Sequence, residues 1–297
     1  AGEKEISSHN RADQVANANL KVASHYARLL SISNQTSYSA IMMMKTRELL
    51  NGENPYQTSS DLMRTDCGDP LALHSHRLLT DNVPCFTNMA DIDCLVDTLC
   101  KLVLAFNRNR GRSPYITVAA KHGNACGIGV DWKYPAQSIH KALWGNPLAV
   151  WGGEVVVNFP LSRDYASLLY SSKERELKLG NGKWMQDVIL APEFDSDALD
   201  ILRQRKNTKL FANTSLTNPD LSPERWVYRY ARGSVLRQSP ASYILDLGQA
   251  RWIGEALTDQ AVDSLIIAWG CSFTSNHGGN EVAIAHDGSL LGVGGGP

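Results

Sequence analysis

No stretch of this chain is long, apolar and uncharged enough to read as a transmembrane helix. Residues 1–11 are polar and contain no apolar signal-peptide core, so secretion is not indicated and a cytoplasmic protein is expected. An excess of either charge is also missing. Lys plus Arg number 29 and Asp plus Glu 30, a formal net charge of −1, so no global field favours nucleic acid or a membrane surface. The six cysteines, at 67, 85, 94, 100, 126 and 271, form no Cys-x-x-Cys pair and no zinc-finger spacing. Free thiols in a reducing compartment are expected, and no metal requirement. There is no internal repeat and no long low-complexity segment. What remains is an ordinary globular composition, 43% hydrophobic over 297 residues, enough for one large domain or two medium ones.

The most informative segment is Lys121-His122-Gly123-Asn124-Ala125-Cys126-Gly127-Ile128-Gly129. It follows an apolar, β-rich run, Tyr115-Ile116-Thr117-Val118-Ala119-Ala120, so a buried strand is expected to end in an ammonium and an imidazole side by side. The glycines let the backbone turn sharply or approach a ligand closely. A neighbouring ammonium favours a neutral imidazole, which can accept a proton, and the ammonium can face a developing oxyanion. The competing reading is a glycine-rich surface loop with two polar residues.

Helices are expected over residues 11–30, 135–143, 161–169, 196–205 and 258–269, with Ser196 as an N-cap. Ile92, Leu95, Val96, Leu99, Leu102 and Val103 recur at helical spacing after Asp91, the expected N-cap. Strands are expected at 115–120, at 149–159 interrupted by Gly152-Gly153, at 188–190 and at 210–211. A hairpin is expected around Asp287-Gly288. Residues 41–50 read as a short strand or helix, 171–183 as an exposed excursion, and 213–224 as a linker. The basic cluster Arg108, Arg110 and Arg112 reads as a solvated loop, with an anion site as the alternative. Alternation of strands and helices argues a layered α/β architecture.

The Lys121 to Gly127 segment resembles the K-H-x-N-P-C-G signature of the AICAR transformylase family, whose domain forms part of the bifunctional enzyme that also carries IMP cyclohydrolase. Further segments match in order. Asn51-Gly52-Glu53-Asn54-Pro55-Tyr56-Gln57 resembles Y-G-E-N-P-H-Q, and Cys85 to Asp91 resembles S-Y-N-N-I-L-D. Trp151 to Asn158 resembles F-G-G-I-V-A-L-N, Asp187 to Pro192 resembles E-V-I-I-A-P, and Leu265 to Trp269 resembles L-L-F-A-W. Asn280, Asp287-Gly288 and Gly292 to Gly296 resemble the closing S-N, D-G and G-I-G-A-G elements.

The resemblance implies an α/β/α fold of cytidine-deaminase-like subdomains and a homodimer with shared active sites. The implied first subdomain spans residues 1–212 and carries the Lys-His motif; residues 213–297 would begin a second, incomplete one. No His-x-Glu or Pro-Cys-x-x-Cys is present, so the zinc chemistry of a deaminase has no evident ligands. The implied reaction moves a formyl group from 10-formyltetrahydrofolate to an amine, with no metal. His122 would be the general base and Lys121 would support the oxyanion and the leaving group. Asn51, Gly52, Asn54, Asn88, Gly152, Asp187 and Asn280 would gather the nucleotide substrate, with Asn276 competing for the place of Asn280.

Several positions depart from the pattern. Leu50 and Asn51 stand where the family has Arg and Tyr, which removes a phosphate-binding cation; Arg47 could compensate if its segment were helical. Ala125 replaces a proline, Tyr56 a histidine and Trp151 a phenylalanine. The family pattern also continues past the last residue here. Two rival functions follow: a non-catalytic or half-site subunit that needs a partner chain, and a folate-independent enzyme of the same fold acting on a nitrogen heterocycle.

Overall fold

The structure is a computed structural model, and it describes residues 8–32, 40–65, 67–224, 226–275 and 280–295. In chain order it runs α1 (Ser8–Ile32), β1 (Met44–Glu48), β2 (Asp61–Arg64), β3 (Arg77–Leu78), α2 (Phe86–Arg110), β4 (Tyr115–Lys121) and β5 (Asn124–Asp131). It continues with α3 (Pro135–Gly145), β6 (Gly153–Val157), α4 (Arg163–Tyr170), α5 (Lys173–Leu179), β7 (Gln186–Ala191), α6 (Ser196–Leu202) and β8 (Lys209–Ala212). Last come β9 (Val227–Ala231), β10 (Ser234–Gln238), α7 (Asp259–Thr274), β11 (Val282–His286) and β12 (Ser289–Gly294).

Eight strands form one mixed sheet in the order β11-β12-β5-β4-β6-β7-β8-β3. Parallel pairing is confined to β6-β7 and β7-β8, where α4, α5 and α6 supply the crossovers that parallel neighbours require. Helices cover both faces, giving the layered α/β/α arrangement. One core joins α2, α7 and the sheet through Ile92, Leu95, Leu99, Phe106, Val118, Ile128, Val156 and Ile267. The other packs α3, α4 and α6 through Ile139, Leu143, Val155, Val157, Leu169, Trp184 and Leu202. Val155 and Val157 face one core and Val156 the other, as the two-residue strand period requires. Strands from both sides of residue 213 share this sheet, because β12 pairs with β5 and α7 packs on α2.

Glycine permits two close contacts here. A Cβ on Gly127 would lie 1.9 Å from the Ala142 carbonyl oxygen, and one on Gly270 would lie 2.5 Å from Leu102. Gly127 thus serves the approach of α3 to β5, not the turn.

Several expectations need correction. Helix α2 begins five residues before Asp91, at Phe86, with Cys85 as its N-cap. Of the two readings of residues 41–50, strand or helix, the strand is the one found. Residues 171–183 hold α5, whose Arg175 is buried between the Trp151 and Trp184 rings. Helix α6 is capped by Asp195, which accepts from the Ala198 N–H, not by Ser196. The basic cluster is not a loop: Arg108 and Arg110 end α2, Arg108 donates to the Ile244 carbonyl, and Arg110 pairs with Asp259 and Asp263. Among the described residues no helix is long and apolar enough to cross a membrane.

Candidate active site

Strands β4 and β5 are joined by a two-residue turn, His122-Gly123, closed by the Lys121–Asn124 pair. Both turn residues have positive φ, 52° at His122 and 71° at Gly123. This is the hairpin turn that matches strand twist, and it normally takes Asn-Gly or Gly-Gly. A histidine in the left-handed region stores backbone strain, a feature that clusters at functional sites. The turn exposes the His122 side chain at the hairpin tip.

Lys121 is the last residue of β4 and half-buried. Its Nζ donates to the Trp151 carbonyl at 3.0 Å and the Gly152 carbonyl at 2.5 Å. An ammonium carries three N–H donors, so this cradle leaves one for a third acceptor. Gly152 has φ 67°, and a Cβ there would come within 2.9 Å of the ammonium nitrogen. The Trp151 ring, where the motif has Phe, lies under the Arg175 guanidinium. The carbonyls that hold Lys121 therefore sit on a loop anchored by a cation–π contact.

The second group lies at the start of α2. The Asn51 carbonyl accepts from Phe86 N–H at 2.9 Å, and Asn51 Nδ2 donates to the Gly52 carbonyl. Gly52 N–H donates to the Gln57 carbonyl, while Gln57 Oε1 accepts from Asn54 N–H, so residues 52–57 close on themselves. Asn88 is buried, and its Oδ1 accepts from Cys85 N–H at 3.2 Å. With the Cys85 sulfur accepting from Asn88 N–H, this is a capping box. Asn88 therefore has a structural role whatever it binds.

Asn280 is exposed. Its neighbour Glu281 accepts from the Ser275 hydroxyl, and Ser275 reaches Asn124 Oδ1 at 3.4 Å, so this segment approaches the hairpin tip. Asn276 lies outside the described residues. Leu50 is exposed, and its N–H donates to the Pro84 carbonyl. Arg47 lies on a strand with its guanidinium over the Phe211 ring, which corrects the expectation of a helical Arg47 replacing the missing cation.

Two further residues were missed in the sequence. Glu154 on β6 is 3% exposed, and the Asp91 carboxyl on α2 is its electrostatic neighbour. Burial pushes the Glu154 carboxyl up to about 9, with Asp91 and then Asp187 adding repulsion. Burial also raises Asp91; Glu154, His122, Lys121 and the Gly123 N–H oppose that rise. Asp187 thus lies in the same electrostatic cluster as Lys121. The available signal was a carboxylate inside the run Glu154-Val155-Val156-Val157, at the Ile of the matched pattern. Among the described residues no group of three or more His, Cys, Asp or Glu side chains is placed to hold a metal ion.

A mixed α/β sheet ends one strand in a lysine–histidine turn, beside a loop whose carbonyls cradle the ammonium, on a layered scaffold. Comparison with known proteins places it more narrowly. The family described as AICARFT/IMPCHase bienzyme matches residues 2–297, and the chain belongs to that family, a family of purine-biosynthesis enzymes. The chain is 29% identical over 260 residues to the bifunctional purine biosynthesis protein PurH of Natranaerobius thermophilus, covering 86% of this chain and 43% of that protein. It is 25% identical over 257 residues to the protein of the same name from Anoxybacillus flavithermus, covering 85% and 44%. The Prochlorococcus marinus protein of that name is 26% identical over 274 residues, covering 89% and 48%. The chain thus spans less than half the length of these curated relatives.

Proposed function

We propose that this chain carries a formyl-transfer site, moving a formyl group from 10-formyltetrahydrofolate to the amine of AICAR or a related acceptor. The observation that carries this reading is the Lys121 ammonium, held by two carbonyls beside an exposed, strained His122. The amine attacks the formyl carbon and gives up a proton, which the His122 imidazole accepts. The formyl oxygen gains negative charge in the tetrahedral intermediate, where the remaining N–H of Lys121 stabilises it. The folate nitrogen leaves as it gains a proton. None of these steps draws on a metal.

The cradle makes Lys121 suited to this role, since a pinned ammonium needs little reorganisation as charge develops. On this reading Asn51, Gly52, Asn54, Asn88, Gly152, Asp187 and Asn280 would gather the acceptor. Leu50 and the engaged Arg47 favour an acceptor with weak demand for phosphate. The chain works as a homodimer in the cytoplasm, with neither nucleic acid nor membrane as partner. The test is formation of formylated product from 10-formyltetrahydrofolate and AICAR by the wild type and Lys121→Ala. The variant is expected to lose about 10²-fold or more in turnover. Equal rates would remove Lys121 from the mechanism, and no product from the wild type would overturn the reading.

A further inference from the structure

Helix α5 docks through a charge. Its leucines, Leu177 and Leu179, are exposed, while Arg175 is 4% exposed and is the one buried residue of the helix. Burying a cation is costly unless something replaces its water. Among the described residues no carboxylate does so, and the adjacent Glu174 is engaged with His140 and Lys178. Instead the guanidinium lies 4.9 Å from the Trp151 ring centroid and 4.8 Å from that of Trp184. Its Nη1 donates to the Asn181 carbonyl, and its Nε has no hydrogen-bond partner. A planar cation can face two rings at once, which an ammonium cannot.

The two rings differ in what holds them. Trp184 is buried and packs edge-on against Trp144, so it is a fixed wall. Trp151 is 40% exposed, on the loop between α3 and β6. Arg175 therefore ties a loop residue to the core. The backbone makes a parallel tie, because the Gly152 N–H donates to the Met185 carbonyl at 2.8 Å. Consecutive loop residues, 151 and 152, are thus fastened to consecutive residues 184 and 185. The Trp151 carbonyl shares a planar peptide with the Gly152 N–H and points the opposite way, to the Lys121 ammonium. One hydrogen bond leaves such a peptide free to swing about it, and glycine at 152 makes the swing easy. A clamp on the Trp151 ring removes that freedom.

We propose that Arg175 is a positioning residue: by clamping Trp151 against Trp184 it fixes the Trp151–Gly152 peptide and so sets the carbonyls that hold Lys121. The motif has phenylalanine at 151, and the indole present here is the better partner for a cation. Arg175 acts through the cradle, so its loss should weaken the presentation of Lys121 and cost less than loss of Lys121 itself. Only the activity part of the test rests on the formyl-transfer reading.

The experiment measures hydrogen exchange of the Gly152 amide by ¹H–¹⁵N spectroscopy in the wild type, Arg175→Ala, Arg175→Lys and Arg205→Ala. Arg205 is the control: its guanidinium lies 4.4 Å from the Tyr170 ring centroid and donates to the Gln186 side chain. Gly152 exchange is expected to be about tenfold faster in Arg175→Ala. The increase should be smaller in Arg175→Lys, which keeps the charge without the plane, and absent in Arg205→Ala. Amides of the buried strand β6 beyond Gly153 should keep their wild-type rates in all four proteins. In parallel, kcat should fall about tenfold in Arg175→Ala at nearly constant KM, as expected when an interaction made in the transition state is weakened, and it should hold in Arg205→Ala. Unchanged Gly152 exchange in Arg175→Ala overturns the proposal, as does an equal rise in Arg205→Ala. Should Arg175→Ala not fold, Arg175→Lys decides: faster Gly152 exchange supports the clamp, and wild-type exchange overturns it. If the wild type transfers no formyl group, the functional reading fails while Gly152 exchange still decides the role of Arg175.

Discussion

Among the described residues three hairpins turn at a residue–glycine pair with positive φ at both positions, and two of them do different things. The β4-β5 hairpin turns at His122-Gly123, with φ values of 52° and 71°; the β9-β10 hairpin turns at Arg232-Gly233, with 43° and 74°. Their flanks differ. Five of the seven β4 residues are buried, whereas every residue of β10 is exposed. Around the first turn stand the Lys121 cradle, the Asp91–Glu154 pair and the segment from Ser275. The second forms its own two-stranded sheet. A residue–glycine turn therefore fixes backbone geometry alone, and chemistry comes from what packs behind it.

The sharpest way to break this comparison is to disturb the packing behind the first hairpin. Gly127→Ala would push a methyl into the Ala142 carbonyl, which helix α3 cannot easily vacate. A loss of about 3 kcal/mol or more is expected in chemical denaturation. A loss below about 1 kcal/mol would mean that α3 sits more loosely on β5 than this packing requires.

Restoring the missing cation comes next. Leu50→Arg should increase the preference for AICAR over its dephosphorylated riboside by about 10- to 150-fold in calorimetric titration, since a charge-assisted contact contributes about 1.5–3 kcal/mol. Arg47→Ala should leave the wild-type preference unchanged, because Arg47 is engaged with Phe211. A strong wild-type preference for the phosphorylated ligand that survives Arg47→Ala would show that another cation holds the phosphate.

The carboxyl pair predicts a stability effect of fixed sign. Glu154 in the folded chain keeps a proton to about 9, while the unfolded chain loses it near the ordinary 4.5. Stability therefore falls as pH rises between those values, with no cost below them. Glu154→Gln should stabilise the protein by about 1–2 kcal/mol at pH 8 and change little at pH 4, since one pKa unit corresponds to about 1.4 kcal/mol and Asp91 relaxes in part. Thermal melts at both pH values check this. The smallest effect is expected at the β9-β10 hairpin. Gly233 has open space around it, so Gly233→Ala should cost only about 1 kcal/mol from its positive φ.

Much of the fold was legible because the decisive residues obey simple periods. The apolar run into Lys121, the helical spacing from Ile92 to Val103 and the Asp287-Gly288 hairpin all appear where expected. The misses share a cause: the residue type did not announce its tertiary partner. Cys85 is not a usual N-cap, so α2 was read as starting late. Helix α5 is short and charged, and it docks through Arg175 between two indoles, which no local pattern reports. The β9-β10 hairpin carries the residue–glycine signal in Arg232-Gly233 but lacks a buried face, so hydrophobic alternation does not mark it. At the site, the motif marked Lys121, His122, Gly152 and Asp187. The partnership of Asp91 with Glu154 needs two elements 63 positions apart in sequence to meet.

The most direct test substitutes both turn residues and reads two quantities from each protein. His122→Ala and Arg232→Ala each place alanine in the same strained backbone conformation, so their melting temperatures should shift by similar small amounts. Formyl transfer from 10-formyltetrahydrofolate to AICAR should fall about 10²-fold or more in His122→Ala and stay at the wild-type rate in Arg232→Ala. Full turnover in His122→Ala, or an equal loss in both variants, would contradict the claim that the lysine–histidine turn is the reacting centre.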